Sequence, residues 1–416
     1  MKKPESSWLL PTGVFEMPPA RAAFIRMVEG QLMETFRLWG YSEVRTPAME
    51  YLETMAQGLE TAELDMAFKL VDRATGRVMV LRSDMTPQVA RMAALALRDV
   101  PHPLRLCYVS DVYRYSGDPS RPRRELIQAG AELLGTDDPR ADAEVIALAV
   151  ESLKRIGISA IRISLGQVSY ARGLLKECGL SRETEDLLIG AADRKDVGEV
   201  GRILDRAKVQ PPLRRCVLSL AKLHGGIETV REAMKGAPNR ECSDALSNLM
   251  DVLDLAVSHG VDASLIDVDL GELSSFRYHT GIVFSGFVSG AGRAVLKGGR
   301  YDDLAGKFGR SSPATGFAID ILELLEIVSR NDVTLGGVDY LLVNRSGDRT
   351  RGPTAAMELR RKGRGVFCLI RDLGDDELPA FAGAHGIATI IVLEDGGVRR
   401  WDVKAGKSAP CEIDSL

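Results

Sequence analysis

The sequence predicts an α+β fold: an antiparallel sheet flanked by helices, interrupted by a helical insertion and followed by a small α/β domain. Three stretches carry that prediction. From Leu104 to Gly135 the chain reads LRLCYVSDVYRYSGDPSRPRRELIQAGAELLG, two apolar runs of strand period around a loop dense in Gly, Pro and charge. From about 167 to 260, Leu, Ala and charged residues recur at helical spacing. From about Gly337, short β-rich runs alternate with helical ones. The expected domains are a core of residues 1–330, with the insertion at about 167–260, and a tail of residues 335–416.

In chain order, Pro18 and Pro19 suit a helix start, since proline leads at the first helical position. Ile25, Val28, Leu32, Phe36 and Trp39 follow at helical spacing, and Gly40 ends the run. Phe68 to Val71 and Val78 to Leu81 read as a hairpin with Gly76 in its turn. Asp84 and Thr86 follow, just before Pro87 and a helix running to about Leu97. Both residues fit helix capping, and capping is compatible with ligand contact.

In the central hairpin, Gln128 and Glu132 are an even number apart and share a sheet face, joined by Arg114 from the first strand. Three polar groups there fit a wet outer face; their apolar neighbours fit a covered binding face. Ala141 to Ile156 then reads as a helix and Ile158 to Leu165 as a strand. After the insertion come strands at Leu270 to Phe287 and Ala294 to Gly299, and the glycine-rich GGRYDD leads toward a helix at Gly316. In the tail, strands are expected at Tyr340 to Val343, Val366 to Ile370, Thr389 to Leu393 and Val398 to Val403. Helices are expected at Thr354 to Lys362 and Glu377 to Ala384.

Charge and cysteines narrow the function. Net charge is −4, from 54 basic and 58 acidic residues, without the basic excess of a chain that lives on nucleic acid. Six scattered cysteines form no CxxC pair, so neither a zinc site nor a disulfide framework is expected; small buried thiols in a reducing compartment are. No signal peptide and no run of about 18 apolar residues is visible, so a cytoplasmic protein is expected. No cofactor is indicated.

Five collinear segments carry a family resemblance. The Leu104–Gly135 hairpin resembles the second signature motif of class II aminoacyl-tRNA synthetases, in the version used by histidyl-tRNA synthetases. LRSDMTP at Leu81 to Pro87 is similar to that family's LRPEGTA, YHTGIVF at Tyr278 to Phe284 to its RGLDYY region, and GGRYDDL at Gly298 to Leu304 to its GGRYDGL. GFAIDILELL at Gly316 to Leu325 sits where its third motif belongs. VRTPAME resembles the first motif, which implies a homodimer interface. The tail resembles a shortened anticodon-binding domain.

The resemblance implies an amino-acid pocket: Asp84, Thr86 and Gln128 for the ammonium group, Arg114 for the carboxylate, Glu132 for the imidazole of histidine, and Tyr278 or His279 lining it. His279 alone also fits a packed ring. The departures are as informative. Members of the family neutralise charge around the α-phosphate of ATP with three arginines, a task suited to rigid, permanently charged guanidiniums. Arg114 keeps the first position, Ser274 stands at the second and Glu323 at the third, with Ser116 replacing a loop glutamate. Losing one preorganised donor costs roughly 3–4 kcal/mol of transition-state stabilisation. The pattern therefore implies a sensor of histidine, not an active synthetase. It resembles a branch of the family, the regulatory subunits of ATP phosphoribosyltransferase, which act in histidine biosynthesis. The implied partners are a short-form catalytic subunit, histidine and a second copy of the chain within a hetero-octamer. The loop from Gly117 to Arg124 is expected to close over the pocket.

Overall fold

The structure, a computed structural model, describes residues 10–59, 64–115, 123–220, 222–273, 278–328, 338–371 and 373–413. Its centre is the pair β5 (Leu104–Tyr113) and β6 (Glu125–Leu134), antiparallel from Leu104 opposite Leu134 to Tyr113 opposite Glu125. Before it come helix α1 (Pro19–Leu38), strands β1 (Ser42–Glu43) and β2 (Met49–Tyr51), the short helix α2 (Leu52–Met55), strands β3 (Lys69–Val71) and β4 (Val78–Leu81), and helix α3 (Thr86–Leu95). β2, β4 and β3 make a small antiparallel sheet, and Gly76 turns its hairpin at φ +71. Gly40, at φ +82, follows α1, a left-handed position that suits glycine.

Helix α4 (Pro139–Arg155) starts with Asp138 accepting from the Arg140 N–H at 2.9 Å and Pro139 in the first turn. Its buried stripe packs on the sheet. Strand β7 (Ile161–Gln167) leads into the insertion, helices α5 (Val168–Glu177), α6 (Arg182–Asp193), α7 (Val197–Arg206) and α8 (Pro211–Leu220), strand β8 (His224–Gly225), and helices α9 (Glu228–Lys235) and α10 (Arg240–Ser258). The insertion is thus not wholly helical. The two-residue β8 pairs with β9 (Ile266–Asp269), too short a run to leave a periodicity.

The chain then returns through β10 (Ile282–Val288), β11 (Leu296–Arg300) and β12 (Ala314–Asp320) before helix α11 (Ile321–Val328). Among the described residues the main sheet runs β1-β5-β6-β12-β11-β10-β7-β9-β8, antiparallel except for the β1–β5 and β7–β9 pairs. Two expectations need correction. The helix expected at Gly316 is strand β12 followed by α11: a central strand buried on both faces is a continuous apolar run, which periodicity cannot distinguish from a buried helix. Leu270–Leu273 and Tyr278–Gly281, expected as strand, are loop.

The tail sheet, β14-β13-β15-β16-β17 in order, joins β13 (Tyr340–Asn344), β14 (Val366–Cys368), β15 (Thr389–Glu394), β16 (Gly397–Asp402) and β17 (Lys407–Cys411). Helices α12 (Arg351–Arg361) and α13 (Leu378–Ala384) cover it, with separate apolar clusters around Leu342 and Ile391 and around Leu341 and Ile390. The exposed edge strand β17 carries no apolar alternation and was not expected. The chain divides into two compact units, Met1–Glu16 with Ile25–Arg330, and Met17–Phe24 with Asn331–Leu416. Among the described residues no helix is long and apolar enough to cross a membrane.

Candidate amino-acid site

The register of β5 and β6 sets Ser110 opposite Gln128, Tyr108 opposite Gly130 and Leu106 opposite Glu132. Gln128, Glu132 and Tyr108 therefore share one face. Two glycines clear the space they occupy. A Cβ on Gly130 would lie 2.5 Å from the Tyr108 ring and 2.4 Å from the Phe317 carbonyl oxygen. One on Gly316 of β12 would lie 1.6 Å from Glu132 Oε2.

Glu132 is 1% exposed. Three hydroxyls donate to its carboxylate: Thr86 Oγ1 at 2.9 Å, Tyr108 at 3.2 Å and Tyr301, just beyond β11. Burial dominates its electrostatics and pushes its pKa up to about 8, against the hydroxyl donors. The raised pKa lets this carboxyl keep a proton more readily than an exposed glutamate, and a protonated carboxyl can donate to or accept from a ring nitrogen.

Asp84, Thr86 and Gln128 join the same network. Asp84 Oδ1 accepts the Thr86 N–H at 2.9 Å and its Oδ2 accepts from Gln128 Nε2 at 3.0 Å. Gln128 Oε1 accepts the Met85 N–H at 3.2 Å. Asp84 thus turns the chain into α3 and still presents a carboxylate to the pocket, but the N-cap is Met85 without a side-chain cap bond, so the capping expected of Asp84 and Thr86 is not what they do. The Tyr278 ring meets His279 edge-on at 5.0 Å and lies 5.8 Å from Tyr301. A Cβ on Gly299 would come within 2.6 Å of the His279 ring, whose backbone carbonyl accepts from Arg172 at 2.9 Å.

Arg114 stands at the end of β5, half-buried, with an isolated bridge to Ala67 and its N–H on the Arg124 carbonyl at 3.1 Å. No hydrogen bond ties its guanidinium to Asp84, Gln128 or Glu132. Tyr108 and Tyr301 were not anticipated. The even spacing of Tyr108 from Arg114 and the tyrosine inside GGRYDD were the available signals.

Glu323, where the third-motif arginine was expected, is 2% exposed in the first turn of α11. Arg123 meets it at 2.7 Å, and Arg293 pairs with it from the β10–β11 connection. Asp320 Oδ1 accepts the N–H groups of Leu322 at 3.0 Å and Glu323 at 3.3 Å, and burial raises its pKa. Two carboxylates and two guanidiniums fill this region. Ser116, Ser274 and most of the Gly117–Arg124 loop lie outside the described residues. Among the described residues no group of three or more His, Cys, Asp or Glu side chains could hold a metal ion.

Comparison with known proteins places this geometry. The histidyl-tRNA synthetase family model matches residues 13–324. An ATP phosphoribosyltransferase regulatory subunit from Alkalilimnicola ehrlichii is 40% identical over 401 residues, covering 94% of this chain and 96% of that protein. One from Geobacter sulfurreducens is 39% identical over 356 residues, covering 85% and 81%. The chain belongs to the ATP phosphoribosyltransferase regulatory subunit family. A crystal structure of an ATP phosphoribosyltransferase regulatory subunit/histidyl-tRNA synthetase from Bacillus halodurans superposes with a TM-score of 0.82 at 29% identity, covering 95% of this chain and all of that one. A histidyl-tRNA synthetase from Nostoc, 18% identical with a TM-score of 0.82, shows the same fold. The class II synthetase-like architecture is therefore common to this regulatory-subunit family and to synthetases.

Proposed function

We propose that the chain is the non-catalytic, histidine-sensing subunit of ATP phosphoribosyltransferase in histidine biosynthesis. It would bind a short-form catalytic subunit, with a second copy of itself in a hetero-octamer, and carry histidine feedback to that enzyme. The observation that carries this reading is the contrast between two sites. The Asp84–Thr86–Gln128–Glu132 network offers a buried polar cage for a small zwitterion. The position of the third arginine holds a carboxylate already satisfied by Arg123 and Arg293. In the cage, Asp84, Thr86 and Gln128 would take the ammonium group, Arg114 the carboxylate, and Glu132 an imidazole nitrogen beside Tyr278 and His279. Aminoacyl-adenylate formation would lack two of its three guanidiniums.

The test mixes the chain with the short catalytic subunit and follows phosphoribosyl-ATP formation with and without histidine. Stimulated activity that histidine suppresses is expected. Glu132→Gln should weaken that suppression while leaving assembly intact. Suppression unchanged by this substitution refutes the pocket assignment, and no stimulation by the wild-type chain refutes the function.

A further inference from the structure

The helix that opens the cage carries a buried amide with no place in the cage itself. Gln88 is the third residue of α3, two past Thr86, and is 1% exposed. A buried amide is tolerated when its donors and its acceptor are matched. Gln88 Nε2 donates to the Pro47 carbonyl and to Glu50 Oε1, each at 2.8 Å, and its Oε1 accepts from Thr46 Oγ1. Glu50 is gripped in turn by Arg91, one turn further along α3, whose two terminal nitrogens donate to both carboxylate oxygens. The partners of Gln88 therefore lie in one short segment, residues 46–50, which is 38 to 42 positions earlier in the chain.

The same segment fastens the other flank of the turn that enters α3. The Arg82 N–H donates to the Ala48 carbonyl at 2.9 Å, and the Arg82 guanidinium donates to the Thr46 carbonyl at 2.9 Å. Residues 83–87 thus run between two anchors on one platform, Arg82 before them and Gln88 after them. That turn supplies Asp84, Thr86 and the Met85 N–H that orients Gln128. The two ends of the cage depend on it unequally. Asp84, Thr86 and Gln128, assigned above to the ammonium group, are all set by the turn. Glu132, assigned to the imidazole, loses only the Thr86 hydroxyl when the turn shifts, because Tyr108 on β5 and Tyr301 beyond β11 still donate to it.

We propose that Gln88 is a positioning residue of the cage: by fastening the first turn of α3 to residues 46–50 it sets the geometry of the ammonium end, and with it the preference for a ligand that carries an α-amino group. This rests on the histidine binding proposed above. Gln88 acts through Asp84, Met85 and Thr86, not by contact with the ligand. Its effect is one of preorganisation, since groups already held in place lose less freedom when the ligand arrives.

The experiment measures by calorimetry the affinity of the full chain for histidine and for imidazolepropionate, which is histidine without its amino group. Gln88→Met keeps an unbranched, buried side chain and removes the hydrogen bonds to Thr46, Pro47 and Glu50. The expected result is histidine binding weakened about tenfold or more, with imidazolepropionate binding within about threefold of wild type, so that the preference for the amino group shrinks. Equal weakening of both ligands overturns the inference, because a residue that merely supports the fold would loosen the whole pocket. Unchanged histidine binding overturns it too. Thr46→Val, which removes one hydroxyl, should shrink the preference in the same direction, and Thr46→Ser should restore it; this pair decides the matter if Gln88→Met does not fold. Wild-type chain that binds no histidine sinks the proposed function and this inference with it, and the wild-type control tells that case apart.

Discussion

Arg123 and Glu323 form a 2.7 Å ion pair with the carboxylate 2% and the guanidinium 12% exposed. It ties the residues leading into β6 to the first turn of α11. A second guanidinium, Arg293, completes the neutralisation of Glu323 and lies 3.6 Å from Asp320. A carboxylate so deep in the protein is tolerated only because it is paired. The same pairing engages both guanidiniums, Arg123 and Arg293, with carboxylates.

Breaking the pair from one side should therefore be more harmful than removing it. Glu323→Leu alone should destabilise the chain by about 3 kcal/mol, because it leaves the Arg123 guanidinium short of its partner, and Arg123→Met by less, because Arg293 still pairs with Glu323. The double variant should lose less than the sum of the two. Urea unfolding of the four proteins measures the interaction energy directly; simple additivity would mean the pair is not coupled.

Gly316 holds its place for a steric reason. Gly316→Ala would put a methyl carbon onto Glu132 Oε2, in an interior strand of the sheet where the backbone cannot retreat. Histidine affinity should fall at least tenfold by calorimetry, with a stability loss of about 1–3 kcal/mol from the overpacked site. Gly30→Ala, on α1 with nothing within 4 Å of the added carbon, should leave histidine affinity unchanged.

Glu132 should give the ligand-free chain a distinctive pH dependence. Its folded pKa of about 8 exceeds the ordinary glutamate value of 4.5, so the folded state holds the proton more tightly than the unfolded chain. That contribution is fully present below 4.5 and is lost as pH rises through about 8. Wild type should therefore lose more stability than Glu132→Gln between pH 5 and 8.5, measured by denaturant midpoints. Equal losses would show that the carboxyl is not held protonated.

Much of this is legible in the sequence. The β5–β6 hairpin, Gln128 and Glu132 were readable because strand period puts residues of even spacing on one face, and the family resemblance supplied Asp84 and Thr86. Tyr108 and Tyr301 were not, since nothing local says that two tyrosines about 190 residues apart converge on one carboxylate; only the β6–β12–β11 stacking does that. The arginine partners of Glu323 were hidden for the same reason. Strand β12 was mistaken for helix because a strand covered on both faces loses its alternation. Arg114 remains outside the hydrogen-bonded network, a contact that an arriving carboxylate would have to supply.

The central claim, an intact amino-acid cage beside a nucleotide corner closed by Glu323, is tested most directly by histidine-dependent ATP–pyrophosphate exchange with the chain alone. No exchange above background is predicted under conditions where histidine binding is saturated. Histidine-dependent exchange at a rate comparable to an active histidyl-tRNA synthetase would contradict it.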